Sequence, residues 1–206
     1  MKEMTICKAS DVQRQFWILN QLFPDSSAYN LNLCYKIKGS IDLEILEKSF
    51  HEIFKRHDIF RSGFYSLNNE LYLQIRQEVY GKIIECISLE SKKYSEEETP
   101  QDVVAELRKP FHLEDETPVR VKLYCLQNDL FYLTITMHHI ISDLRTKDIL
   151  IEELNRFYNS FLLSDNPVEM PTVKTYMSFC TQMEEYLLKE QSRMIQYWKN
   201  EVEKTE

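Results

Sequence analysis

A β-patterned run, Leu130-Phe-Tyr-Leu-Thr-Ile-Thr136, leads directly into Met137-His138-His139-Ile140-Ile141-Ser142-Asp143, and an amphipathic helical run follows from Lys147 to Leu162. So abrupt a change of pattern requires a strand, a short connection and a helix, and it places two histidines where the strand ends. Side chains alternate faces along a strand, so His138 and His139 are expected to point opposite ways. One would look into a cleft while the other anchors in the protein body. Histidines that diverge in this way cannot both chelate one ion, and no third ligand stands at zinc-like spacing, so no metal is expected. Taken alone, a strand-end histidine is more often a hydrogen-bonded residue near a core than a reactive one. It is nevertheless the side chain best suited to accept a proton near neutral pH.

The rest of the chain alternates helices and strands. Asp11 to Leu22 reads as a helix, and Leu31 to Lys38 as a strand. Asp42 reads as the N-cap of a helix on which Leu46, Phe50, Ile53 and Phe54 share one face. Ile59 to Tyr65 and Leu71 to Arg76 read as strands joined through Asn68-Asn69, with another short strand over Lys82 to Ile87. Ser91 to Glu98 is a charged loop. Thr99-Pro100-Gln-Asp102 opens a helix, with a cap and a proline at its first position. Val119 to Leu126 and Leu130 to Thr136 form a hairpin around Gln127-Asn128-Asp129. Beyond Lys147 the chain is mainly helical, broken at Ser164 to Pro171. Trp17 and Trp198 are read as core aromatics. Mixed strands and helices with hairpins indicate an α+β fold, a mixed sheet with helices packed on it.

Composition narrows the function. The 206 residues suffice for one well-buried core, and 43% hydrophobic with 12% aromatic content argues against disorder. Twenty-five basic against 33 acidic residues, a net charge of −8, argues against a nucleic-acid partner. No apolar run is long enough to cross a membrane and no signal-peptide core is present, so a cytoplasmic location is the default expectation. Cys7, Cys34, Cys86, Cys125 and Cys180 are odd in number and widely spaced, which disfavours a disulfide or zinc framework. Cys34 and Cys125 are expected to pack as small hydrophobes. The three glycines form no phosphate-cradling loop.

Several segments carry a resemblance. His138-His139-x-x-x-Asp143 at a strand-to-loop position resembles the His-His-x-x-x-Asp-Gly signature of the condensation-domain superfamily. That superfamily includes the condensation domains of nonribosomal peptide synthetases and the acyltransferases related to chloramphenicol acetyltransferase. Ser10-x-x-Gln13-x-x-x-Trp17-x-Leu19 resembles the family's opening pattern, with Gln15 where an arginine is usual. Arg56-His57-Asp58-Ile59-Phe60-Arg61-Ser62-Gly63-Phe64 is similar to Arg-His-Glu-x-Leu-Arg-Thr-x-Phe. Phe111-x-Leu113 through Pro118 and Arg120, then Tyr176-Met-Ser-Phe179 and Tyr197-Trp198, follow in family order.

The resemblance implies a chloramphenicol acetyltransferase-like sandwich, with residues 1–206 forming the first lobe of a two-lobed domain whose second lobe lies outside this chain. It implies acyl transfer between substrates tethered as thioesters on the phosphopantetheine arms of carrier proteins. Those carrier proteins, the second lobe and neighbouring synthetase domains would be the partners, and no cofactor would be bound by this lobe. His139 would be catalytic, either removing the proton of an attacking amine or orienting the amine and stabilising the tetrahedral intermediate. His138 and Asp143 would be structural, with Asp143 paired to a buried Arg61. Leu144 stands in place of the family glycine and is expected to shift the loop or narrow the space beside His139. A docking lobe without catalysis and an ester-forming acyltransferase are the alternatives.

Overall fold

The computed structural model describes residues 4–90, 94, 98–127 and 129–204, and the chain divides into two compact units, residues 1–173 and 174–206. In the first unit β1 (Met4–Lys8) precedes α1 (Asp11–Leu22), β2 (Asn30–Lys38) and α2 (Leu43–Arg56). A 3₁₀ turn (Asp58–Arg61) leads into β3 (Ser62–Leu67), β4 (Glu70–Arg76) and β5 (Ile84–Ser88). α3 (Gln101–Leu107), β6 (Val119–Cys125), β7 (Leu130–His138) and α4 (Leu144–Leu163) complete it. The second unit is α5 (Tyr176–Glu203), on which no residue is buried.

The strands form two sheets, β1-β4-β3, all antiparallel, and β2-β7-β6-β5, in which only β5 and β6 run parallel. The architecture is α+β with one mixed sheet, as the sequence pattern indicated. Register gives the larger sheet two unlike faces. Leu31 and Val119 flank Met137, Leu33 and Val121 flank Ile135, and Leu123 faces Leu133, making one face aliphatic. The other face carries Asn30 opposite His138, Asn32 and Arg120 about Thr136, and Lys122 opposite Thr134.

Several polar groups on that second face find partners on α3 and the segment after it. Asn32 and Asn30 donate to the carbonyls of Leu107 and Lys109. Glu106 is buried between Arg120 at 3.1 Å and Lys122 at 2.9 Å. Arg120 also lies over the Phe111 ring, 4.0 Å from its centroid. The histidine-bearing end of β7 is thus held in a polar layer in which charges are matched.

α2 forms where the pattern placed it. Asp42 accepts hydrogen bonds from Glu44 N and Ile45 N, and Leu46, Phe50, Ile53 and Phe54 are buried. α2 packs on α4, whose Leu150, Leu154 and Phe157 supply the facing apolar stripe. Glu153 is buried in that contact. Burial would raise its carboxyl, but the His57 imidazole at 2.7 Å and the Arg56 guanidinium at 2.9 Å hold it below the usual range.

Several expectations need correction. The strand read over Ile59 to Tyr65 begins at Ser62, because the chain first makes a 3₁₀ turn in which Phe60 N–H donates to His57 O and Ser62 Oγ to Ile59 O. Pro100 occupies the N-cap of α3 and gives no side-chain cap. Cys34 is exposed, because β2 is an edge strand, and Cys125 is only partly buried. Trp17 is a core residue, whereas Trp198 on α5 is 64% exposed. Of the charged loop 91–98, only Tyr94 and Glu98 lie within the described residues.

Candidate active site

The site grows from the end of β7. His138 is the last strand residue, and its N–H donates to Pro118 O. Its ring is almost fully buried, meeting Phe16 and Phe111 edge-on and leaning on Tyr29. Ile140 N–H donates to His138 Nδ1 at 3.0 Å, so this nitrogen carries the lone pair and the imidazole is neutral. Burial, aided by the neighbouring His139, pushes the His138 pKa down to about 4. His138 is a structural acceptor that ties the turn back on the strand.

His139 has left the strand, and that corrects the expectation of opposed side chains. Its N–H reaches Tyr29 O at 2.8 Å, and its ring stacks on Phe16, with centroids 5.8 Å apart and planes 9° from parallel. Both histidines therefore touch the same phenylalanine, one edge-on and one face-on. His139 Nδ1 lies 2.9 Å from Ser142 O. A carbonyl oxygen can only accept, so Nδ1 carries the hydrogen, and in the neutral ring Nε2 holds the lone pair. Adjacent histidines thus hold opposite tautomers, and His139, half-buried rather than sealed, is the one equipped to take a proton.

The connecting turn is closed by its own polar groups. Ile141 N–H and Ser142 Oγ both donate to His138 O, and Gln13 Nε2 donates to Ile140 O at 3.2 Å. Ile140, Ile141 and Ser142 are buried. Buried backbone groups with partners hold a loop to one conformation, and here that conformation presents His139.

Asp143 and Arg61 do not form the expected ion pair. Asp143 is the exposed N-cap of α4, accepting from Thr146 N at 2.7 Å while the Thr146 hydroxyl bonds back. These Thr146 contacts hold its carboxyl below the usual carboxylate range. Arg61 instead donates to the backbone carbonyls of Phe54, Lys55 and Arg76. Burial lowers the pKa of its guanidinium, and Asp58 opposes that shift. The physical reason is helix geometry: a helix leaves its last carbonyls without intrahelical donors, and Arg61, just past the end of α2, supplies them.

Leu144 also departs from expectation. It is the first residue of α4, 72% exposed, and its φ is not among the positive values of the described residues. No glycine-only backbone is used there. Residue patterns gave Phe16, Tyr29 and Ser142 no role at the site. Phe16 lies between Gln13 and Trp17 of the opening pattern, and the other two act here through backbone oxygens, which any residue type supplies.

Among the described residues no group of side chains could hold a metal ion, and no helix is long and apolar enough to cross a membrane.

The architecture is that of solved condensation domains. The starter condensation domain of rhizomide synthetase RzmA matches with a TM-score of 0.79 at 18% identity, over 94% of this chain and 47% of that one. The X-domain in its complex with OxyB from teicoplanin biosynthesis matches with a TM-score of 0.80 at 20% identity, over 94% and 42%. These place the fold in the chloramphenicol acetyltransferase-like class. A family model for the condensation domain matches residues 3–206, and the chain belongs to that family. Nonribosomal peptide synthetase dtxS1 of Metarhizium robertsii is 30% identical over 198 residues, 94% of this chain and 2% of the relative. Tyrocidine synthase 2 of Brevibacillus parabrevis is 28% identical over 189 residues, 92% of this chain and 5% of the relative. The chain thus spans a small part of these synthetases and under half of the solved domains.

Proposed function

We propose that this chain is the first lobe of a condensation domain in which His139 promotes amide-bond formation. The donor would be an acyl thioester and the acceptor an aminoacyl thioester, each on the phosphopantetheine arm of a carrier protein. The observation that carries the reading is the His139 tautomer, with Nδ1–H committed to Ser142 O and Nε2 left as a lone pair on a partly open ring. An amine attacking a thioester carbonyl becomes cationic as the carbonyl oxygen becomes anionic. Nε2 can take the amine proton, or accept a hydrogen bond from it and so hold the amine in line. The intermediate then expels the thiolate of the donor arm, which receives a proton. No residue of this chain is acylated in this path.

The test is amide formation from two loaded carrier proteins by the complete synthetase that carries this lobe. His139→Ala should slow product formation by about 10²-fold or more. Near-normal turnover would remove the assignment.

One observation favours a second reading, a lobe that docks another domain without catalysis. Arg61 and Asp143, the pair expected to fix the loop that holds His139, are not paired. A complete synthetase that forms no product even with His139 intact, yet needs this lobe for assembly, would establish it.

A further inference from the structure

Helix α1 reaches the His139 turn with two side chains set three residues apart on one face, Gln13 and Phe16. Gln13 uses both ends of its amide. Its Oε1 accepts from Ser10 N at 3.0 Å, completing the capping box that starts the helix, while its Nε2 donates to Ile140 O at 3.2 Å. The side chain is 3% exposed, so a lost partner is not replaced by water. One turn along, Phe16 lies flat on the His139 ring and meets the Tyr29 ring edge-on at 5.3 Å. Tyr29 O in turn accepts the His139 N–H. His139 is therefore held on three sides: by Ser142 O at Nδ1, by Tyr29 O at its backbone and by Phe16 across its face. Each hold depends on where α1 sits.

Free histidine favours the hydrogen on Nε2, and this site requires the opposite tautomer. If the Ile140 carbonyl is released, the turn can move Ser142 O away from Nδ1. If Phe16 is removed, the ring can rotate about its side-chain bonds. We propose that Gln13 and Phe16 are positioning residues that fix His139 in its Nδ1–H tautomer with Nε2 directed outward. The catalytic consequence rests on the reading of His139 given above, whereas the tautomer itself is a property of this chain.

Gln13 allows a clean separation of roles. Glutamate at the third helical position is a natural capping-box partner, so Gln13→Glu keeps the acceptor for Ser10 N and leaves the start of α1 intact. It removes the donor to Ile140 O and sets two acceptors against each other. Phe16→Leu removes the flat ring while retaining an apolar side chain, and Phe16→Tyr restores the ring.

Imidazole ¹⁵N spectra of this chain, recorded well above pH 7, report the tautomer directly. The wild type and Phe16→Tyr should show one His139 signal pair with Nδ1 protonated, and Gln13→Glu and Phe16→Leu should lose it to a tautomer mixture. Retention of the wild-type signature in both Gln13→Glu and Phe16→Leu overturns the inference. In the complete synthetase the same two variants should lower kcat by roughly 10²-fold with a much smaller change in KM. Lost tautomer with undiminished kcat would leave the clamp standing and overturn the catalytic role of His139 instead.

Discussion

At the scale of single residues, the two adjacent histidines differ because one is sealed and one is not. His138 is neutral in the folded protein, its pKa pushed to about 4, and it regains an ordinary value near 6.5 on unfolding. The unfolded chain therefore binds more protons between these values, and stability falls as pH drops from about 6.5 towards 4. Between pH 7 and pH 5 the loss from this group should be about 2 kcal/mol. Glu153 is the opposite type of group. Its depressed pKa gives stability that is present above its unfolded value of 4.5 and lost below it, so most of its effect lies under this window. Urea titrations at pH 7 and pH 5 should show the loss in the wild type and a clearly smaller one in His138→Asn, which keeps an acceptor near Nδ1. Equal losses would mean that His138 is not held neutral. Leu144, by contrast, is exposed and in ordinary helical backbone. Leu144→Gly should cost less than about 1 kcal/mol and leave turnover unchanged. A marked fall in activity at unaltered stability would make the leucine a working part of the site.

At the scale of elements, the sequence patterns locate local structure well and long-range partners poorly. α1 begins and ends where its pattern does, Asp42 caps α2, and Asn68 and Asn69 take the positive φ values of 52° and 64° expected of a two-residue hairpin turn. β1 has no legible pattern because Met4–Lys8 carries no strong apolar alternation and pairs with β4, about seventy residues away in the register Met4 to Arg76. The site shows the same divide. His139 and its place after a strand are visible as residues, whereas the carbonyls of Ser142, Tyr29 and Ile140 that orient it exist only once the turn is folded. The pairing of Asp143 with Arg61 failed for a related reason: opposite charges at motif positions specify no distance, and local partners were nearer. Asp143→Ala should therefore cost about 1 kcal/mol, the value of a helix cap, rather than the roughly 3–5 kcal/mol of a broken buried pair. In a double-mutant cycle, Asp143→Ala and Arg61→Met should add to within about 0.5 kcal/mol. Coupling well above that would restore the pair.

At the scale of the whole molecule, the first unit has what an autonomous fold requires. It contains two sheets, a helix pair with matched apolar stripes and buried charges that find partners. The second unit differs in kind. α5 presents Phe179, Met183, Leu187, Met194 and Trp198 exposed, at spacings that fall on one side of a helix. Apolar stripes of this extent belong at an interface, which fits a lobe that works within a larger assembly. The chain alone should unfold in one cooperative thermal transition carried by the first unit, and it should self-associate weakly through α5 as concentration rises. Acyl transfer needs two tethered substrates placed within reach of Nε2 and shielded from water. On the reading proposed above, the chain is one lobe and its half-buried His139 supplies one side of such a site. The isolated chain, offered two loaded carrier proteins, should therefore release no amide product above the uncatalysed rate. Product formed under those conditions would show that one lobe is sufficient, and the two-lobed reading of this chain would have to be abandoned.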